Sequence, residues 1–303
     1  GGRLSDLIES GKLSIPEHDI TRRVIKPLMD ALQAISELGV THREIRPSNM
    51  FFMDEALENL VLGDCAAVPP AFDPPTLFSS IGRGLTGPGG RGEGELHDDI
   101  YALGASIVAS LFNPLPAAKM NDDDLLTAKI EHGSSGALST GIRLPPALLE
   151  PLRGMLSDQV SDRWGLDQIN GWMDGRKLTP IQRRPSIKTD TPITFAGRPH
   201  ITTRTLARGM TQHVADAAKL LRETDLDIWV RRILTDPEAA DRIKLTLDQV
   251  RANPGAPASS DDHLIAKVAM ALDPNGPIRY KGFSYMPEGF GSALAVEMLR
   301  RGD

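Results

Sequence analysis

Cysteine is nearly absent from this chain of 303 residues: Cys65 is the only one. An intrachain disulfide is excluded, and a reducing, cytoplasmic compartment is the expectation. Long apolar runs are missing too. The longest uncharged stretch, Ile100 to Ala118, is broken by Asn113, Pro114 and Pro116, which leaves less than the ~20 residues a membrane helix needs. No secretory signal pattern opens the sequence. Positive charge is in deficit. The 34 Lys and Arg against 40 Asp and Glu give a net charge of −6, so no general affinity for nucleic acid or an anionic membrane is expected. The seven histidines show no repeated ligand spacing, which leaves no zinc-type site. His97-Asp98-Asp99 reads as a charged helix entrance.

What is present is a soluble globular composition, 40% hydrophobic and 24% charged, in a chain long enough for one large domain or two ordinary ones. Ser14-Ile15-Pro16-Glu17 reads as a capping box with Pro16 in the first turn. The helix after it places Val24, Ile25, Leu28, Met29, Leu32, Ile35 and Leu38 on one face. Met50-Phe51-Phe52 and Leu60-Val61-Leu62 are short apolar runs around an acidic turn and predict a small antiparallel pair. That pair sets Asn49 and Asp64 side by side, as a shared metal requires. Asp99 to Phe112 is apolar almost all round and predicts a buried helix. Helices are also expected from Asn121-Asp122-Asp123-Asp124, on Leu148, Leu149, Leu152, Met155 and Leu156, and on Leu166, Ile169, Trp172 and Met173.

From Gly175 to about Thr194 the texture is proline-containing and basic, an extended linker in which Arg183-Arg184-Pro185-Ser186 resembles a basophilic phosphorylation site. Beyond it lie four amphipathic faces. The first carries Leu206, Met210, Val214, Ala217, Leu220 and Leu221, and the second Leu226, Ile228, Trp229, Ile233 and Leu234. The third carries Ile243, Leu247 and Val250, and the fourth Leu264, Ile265, Val268 and Leu272, with Asn253-Pro254-Gly255-Ala256-Pro257 between those two. They predict a small helical bundle. The expected fold class is mainly α, with a first domain over 1–175, a linker over 176–194 and a helical accessory domain over 195–303.

Chemistry concentrates in Thr41-His42-Arg43-Glu44-Ile45-Arg46-Pro47-Ser48-Asn49. With Gly63-Asp64-Cys65-Ala66 and the helix opening at Asp99, it resembles the large, C-terminal lobe of eukaryotic-type serine/threonine protein kinases, over roughly residues 1 to 175. His42-Arg43-Glu44 stands where that family has His-Arg-Asp, Asn49 follows at the motif's spacing, and Asp64-Cys65-Ala66 stands in place of Asp-Phe-Gly. Phosphoryl transfer is mostly positioning and charge neutralisation. The resemblance therefore implies Glu44 as base, Arg46 facing the transferred phosphate, and Asn49 and Asp64 as holders of Mg2+ and ATP. It also implies Arg43 as partner of a phosphorylated activation loop, and Asp99 as the holder of the backbone around His42. Gly1-Gly2 followed by a short helix resembles the segment after the kinase hinge, so the small lobe is expected to be absent and only the floor of a nucleotide site present.

Departures from the family accumulate. Glu44 adds a methylene to the acid, a displacement of about 1 Å, and errors of that size cost on the order of a hundredfold in rate. Ala66 removes backbone freedom, and Cys65 is expected to stand in as a small buried hydrophobe. The segment from Ala67 to Asp98 corresponds to the activation loop. Its Gly82-Arg83-Gly84-Leu85-Thr86-Gly87 matches a dinucleotide fingerprint without the flanking strand and helix, and reads as a mobile loop. Its Thr76, Ser79, Ser80 and Thr86 are candidate phosphorylation sites. The loop glutamate is missing, which predicts an orphaned Arg163 and a loosely anchored loop. These departures favour a pseudokinase that binds protein partners in signalling, with residual Mg-nucleotide binding; the alternative is an active serine/threonine kinase.

Overall fold

The computed structural model describes residues 1–65, 74–181, 188–252 and 260–301. Ala66, the basic motif at Arg183 to Ser186, the Asn253 to Pro257 separator and the side chain of Val250 lie outside the described residues. The chain divides into two compact units. One comprises residues 1–84 and 93–183, the other residues 85–92 and 184–303. Both are mainly helical with small hairpins. No helix among the described residues is long and apolar enough to cross a membrane.

The first unit opens with β1 (Gly2–Arg3) and α1 (Leu4–Glu9). A helical stretch follows as α2 (Glu17–Ile20), a wide π turn over Thr21–Ile25 and α3 (Lys26–Glu37). The expected capping box does not form. Pro16 itself holds the N-cap position, with no side-chain hydrogen bond, so Ser14 lies before the helix. The wide turn has a cause in Pro27, which has no N–H for the carbonyl of Arg23 and whose ring crowds it. Val24, Ile25, Leu28, Met29 and Leu32 are buried as the periodicity requires, but Leu38 is 79% exposed because α3 ends before it.

β2 (Met50–Phe52) and β3 (Leu60–Leu62) pair antiparallel with Met50 opposite Leu62. β1 adds on the far side of β2, Gly2 opposite Phe52, so the expected pair is a three-stranded sheet. The turn between β2 and β3 is tied by Asp54, whose carboxylate accepts the N–H groups of Glu58 and Asn59 at 2.9 and 2.7 Å. After α4 (Ile81–Gly84) comes α5 (Leu96–Leu111), which starts earlier than predicted on a reciprocal cap between Glu95 and Asp98. Its Ile100, Tyr101, Leu103 and Ile107 are fully buried, each side chain contributing about 1.5–3 kcal/mol of apolar transfer free energy. α6 (Asp122–His132), α7 (Ser134–Leu138), α8 (Pro146–Met155) and α9 (Leu166–Met173) complete the unit around this helix. Asn121 caps α6 by accepting the Asp124 N–H at 2.8 Å.

The second unit has a hairpin of β4 (Ile193–Phe195) and β5 (Arg198–His200), then α10 (Thr203–Gln212) and α11 (Val214–Glu223). The single face expected over Leu206 to Leu221 is thus broken into two helices at His213. α12 (Leu226–Arg232), α13 (Pro237–Ala252) and α14 (Asp261–Leu272) follow. Leu226 and Val230 are buried, whereas Ile228 and Ile233, expected on that face, are 41% and 38% exposed. A second hairpin, β6 (Ile278–Tyr280) with β7 (Phe283–Tyr285), and α15 (Phe290–Arg301) close the chain. Residues 85–92 belong here, not with the first unit: the Gly87 N–H donates to Ser284 Oγ at 2.8 Å, and the Met286 N–H to the Gly90 carbonyl at 2.9 Å.

Candidate functional site

The chain between α3 and β2 is irregular, and α5 fixes it. Asp99, in the first turn of α5 and 1% exposed, takes the backbone N–H of His42 on one carboxylate oxygen and that of Arg43 on the other, each at 2.7 Å. Farther along, Ser106 Oγ donates to the Ile45 carbonyl at 3.1 Å. Burial pushes Asp99 up to about 6, against the pull of the two N–H groups. Arg43 adopts a positive φ of 65°, a conformation that costs a non-glycine residue on the order of 1 kcal/mol. The Asp99 clamp holds it there.

His42 is fully buried. Its Nδ1 faces the Glu44 N–H at 3.2 Å, and its Nε2 lies 3.2 Å from the Gly63 carbonyl. The first contact needs an acceptor and the second a donor, which fixes a neutral ring carrying its proton on Nε2. Burial accordingly lowers the pKa of His42. The ring ties the loop to the end of β3.

The β2–β3 register carries through to the chemistry. The Gly63 N–H donates to the Asn49 carbonyl at 2.8 Å. Asn49 Nδ2 then donates to the carbonyls of Glu44 and Asp64, at 3.0 and 2.9 Å. Both neighbours are acceptors, so the amide orientation is forced and Oδ1 is the atom left over. It lies against Gly63, where a Cβ would come within 2.1 Å of it. No described donor bonds the exposed Asp64 carboxylate. Asn49 and Asp64, expected side by side, are brought together.

Glu44 and Arg46 meet each other instead of facing outward. Arg46 Nε sits 2.7 Å from Glu44 Oε2, and Arg46 Nη2 donates to Oε1 at 3.4 Å. The shorter approach is an ion pair whose angles miss a hydrogen bond. Burial raises the pKa of Glu44 and Arg46 opposes it. No protein-family model matches this chain.

Several expectations for the loop are overturned. Arg163 is not orphaned: it is 4% exposed, its Nε donates to the Ser157 carbonyl and its Nη1 to the His97 carbonyl, both at 2.9 Å, and its Cζ lies 5.2 Å from the Tyr101 ring centre. Thr76, Ser79, Ser80 and Thr86 are all buried, so none presents a hydroxyl to a modifying enzyme. Nor is the stretch from Thr76 to Ser79 loosely anchored. Lys129 of α6, fully buried, donates from Nζ to the carbonyls of Thr76, Leu77 and Ser79, at 2.5, 3.2 and 2.9 Å. The sequence carried a trace of this, since Lys129 shares the stripe of Leu125, Leu126 and Ile130. Cys65 is exposed rather than a buried hydrophobe, and its thiol is pushed up first by burial and then by Asp99. The side chain of Arg43 runs along Gly94, where a Cβ would sit 3.4 Å from its Cδ.

The described residues contain no group of three or more His, Cys, Asp or Glu side chains placed to hold a metal ion. Asn49 Oδ1 and the Asp64 carboxylate are hard oxygen donors, a set that suits magnesium when phosphates and water complete the shell.

Proposed function

We propose that the first unit is a divergent protein-kinase-like large lobe working as a pseudokinase, a regulatory module that binds protein partners and retains a weak Mg-nucleotide site. The observation that carries this is the state of its three polar groups. Asn49 Oδ1 and Asp64 are left with acceptor capacity, while Glu44, the acid at the position the resemblance gives to the base, is paired with Arg46 two residues away. In phosphoryl transfer a bound magnesium ion supplies charge neutralisation across the nucleotide phosphates. Asn49 and Asp64 would hold it. Glu44 would have to take the acceptor's hydroxyl proton, and Arg46 would have to release Glu44 and turn to phosphate. The ion pair opposes both.

One observation favours the alternative, an active serine/threonine kinase. Burial raises Glu44, and a carboxylate moved toward neutrality is a better proton acceptor. The test is a melting curve of this chain with Mg-ATP, beside a phosphotransfer assay. We expect a small upward shift that Asp64→Ala abolishes, and no transfer. No shift, or one that survives Asp64→Ala, removes the site assignment. Autophosphorylation lost in Glu44→Gln would replace the pseudokinase reading with the enzyme.

A further inference from the structure

The second unit buries an ion cluster that the kinase-like reading does not use. Asp273 follows the last turn of α14 and is 5% exposed. Its Oδ1 accepts from Arg204 Nε, in the first turn of α10, at 2.8 Å. Its Oδ2 has no hydrogen-bond partner among the described residues, and neither has Nη2 of Arg279, a β6 residue that is 8% exposed. Those two atoms stand 4.0 Å apart, too far for a hydrogen bond and close enough for one atom to bridge them.

Leaving a buried donor and a buried acceptor both unmade is costly. The bridging atom must accept from a guanidinium and donate to a carboxylate. Water meets that geometric need but leaves two guanidinium charges against one carboxylate. Sulfate, with two negative charges, overshoots the one unbalanced guanidinium and also sets a bare oxygen against Asp273 Oδ2. A singly charged phosphate group, which keeps an O–H, balances the charge and donates to the carboxylate. Burial lowers the pKa of Arg279 to about 10, against the pull of Asp273, with Arg208 and Arg204 adding to the fall. The Arg204 side chain is 25% exposed, which leaves an approach from solvent.

We propose that Arg204, Arg279 and Asp273 form a subsite for a protonated phosphate group, held by the two guanidiniums and recognised through its O–H by Asp273. The test is calorimetric titration of the whole chain at pH 6.5 with inorganic phosphate, glycerol 2-phosphate and sulfate at matched ionic strength. Phosphate should bind about tenfold more tightly than sulfate, the discrimination expected from one unmade hydrogen bond. Glycerol 2-phosphate binding as well as inorganic phosphate assigns the site to phosphomonoesters, and weaker binding assigns it to the free ion. Arg204→Gln, at a partly exposed position, should weaken phosphate about tenfold without unfolding the chain. Asp273→Asn should erase or invert the preference, because an amide can donate to sulfate. Equal affinity for phosphate and sulfate, no binding of phosphate, or binding unchanged in Arg204→Gln would overturn the proposal.

Discussion

Asp99 and Asp273 are both carboxylates withdrawn from water beside a helix end, and the chain treats them differently. Asp99 sits in the first turn of α5, where the helix dipole favours an anion, and each of its oxygens holds a backbone N–H at 2.7 Å. Asp273 sits past the last turn of α14, the unfavourable end, and only one of its oxygens is bonded, to Arg204. Backbone partners make the first a fixture of the fold. Side-chain cations and an idle oxygen leave the second with capacity for something else. A buried acid is therefore informative mainly through what its second oxygen does.

The contrast can be broken most directly by removing charge without changing shape. Asp99→Asn turns an amide donor toward one of two backbone N–H groups and should cost on the order of 3 kcal/mol. Asp273→Asn keeps the acceptor for Arg204 and should cost about half as much, since its other oxygen has no hydrogen bond to lose. Urea denaturation measures both, and equal losses would erase the distinction. An effect smaller than that of Asp99→Asn is expected at Gly63, where a Cβ would meet Asn49 Oδ1 at 2.1 Å and Phe51 Cε2 at 2.8 Å. Gly63→Ala should cost about 2 kcal/mol and abolish any Mg-ATP shift; a retained shift would mean that Asn49 is not a ligand.

The smallest effect concerns Lys129, a buried cation with backbone partners, like Asp99 in that respect. Burial lowers its pKa from 10.5 to about 7. Between those values the unfolded chain binds more protons than the folded one, so stability should rise with pH through that window and fall again as pH drops toward 7. Because three carbonyls share the ammonium charge, the rise should be only on the order of 1 kcal/mol. Melting curves at pH 7 and 9 should show it, and Lys129→Met should flatten it. A variant as steep as the parent would place the titration elsewhere.

The elements most legible in the sequence were those with long apolar periodicity, α3 and α5 above all. The β2–β3 pairing was legible too, and with it the approach of Asn49 to Asp64. The hairpins over Ile193–His200 and Ile278–Tyr285 were not, because their three-residue strands mix polar with apolar side chains, whereas Met50–Phe52 and Leu60–Leu62 are unbroken apolar runs. Their turns did carry a signal. Ala196-Gly197 and Lys281-Gly282 both pair a residue at φ near 50° with a glycine at positive φ, the backbone of a two-residue hairpin turn. Partners of buried cations were illegible for another reason. Arg163 and Lys129 bond to carbonyls, which every residue has and no residue type announces. The pairing of Glu44 with Arg46 required the fold of the loop itself, since nothing in the motif's spacing orients two side chains toward each other.

One feature of the connectivity bears on any attempt to study the halves separately. Residues 85–92 leave the first unit and return to it, and between those points they hydrogen-bond to residues near the far end of the chain, through Gly87 with Ser284 and Gly90 with Met286. A gene fragment stopping near residue 181 would still encode that excursion but not its partners, leaving those polar groups to water. A fragment starting near residue 188 would lack the excursion altogether. Dissection by deletion would injure both products, so point substitutions in the intact polypeptide are the sounder instrument.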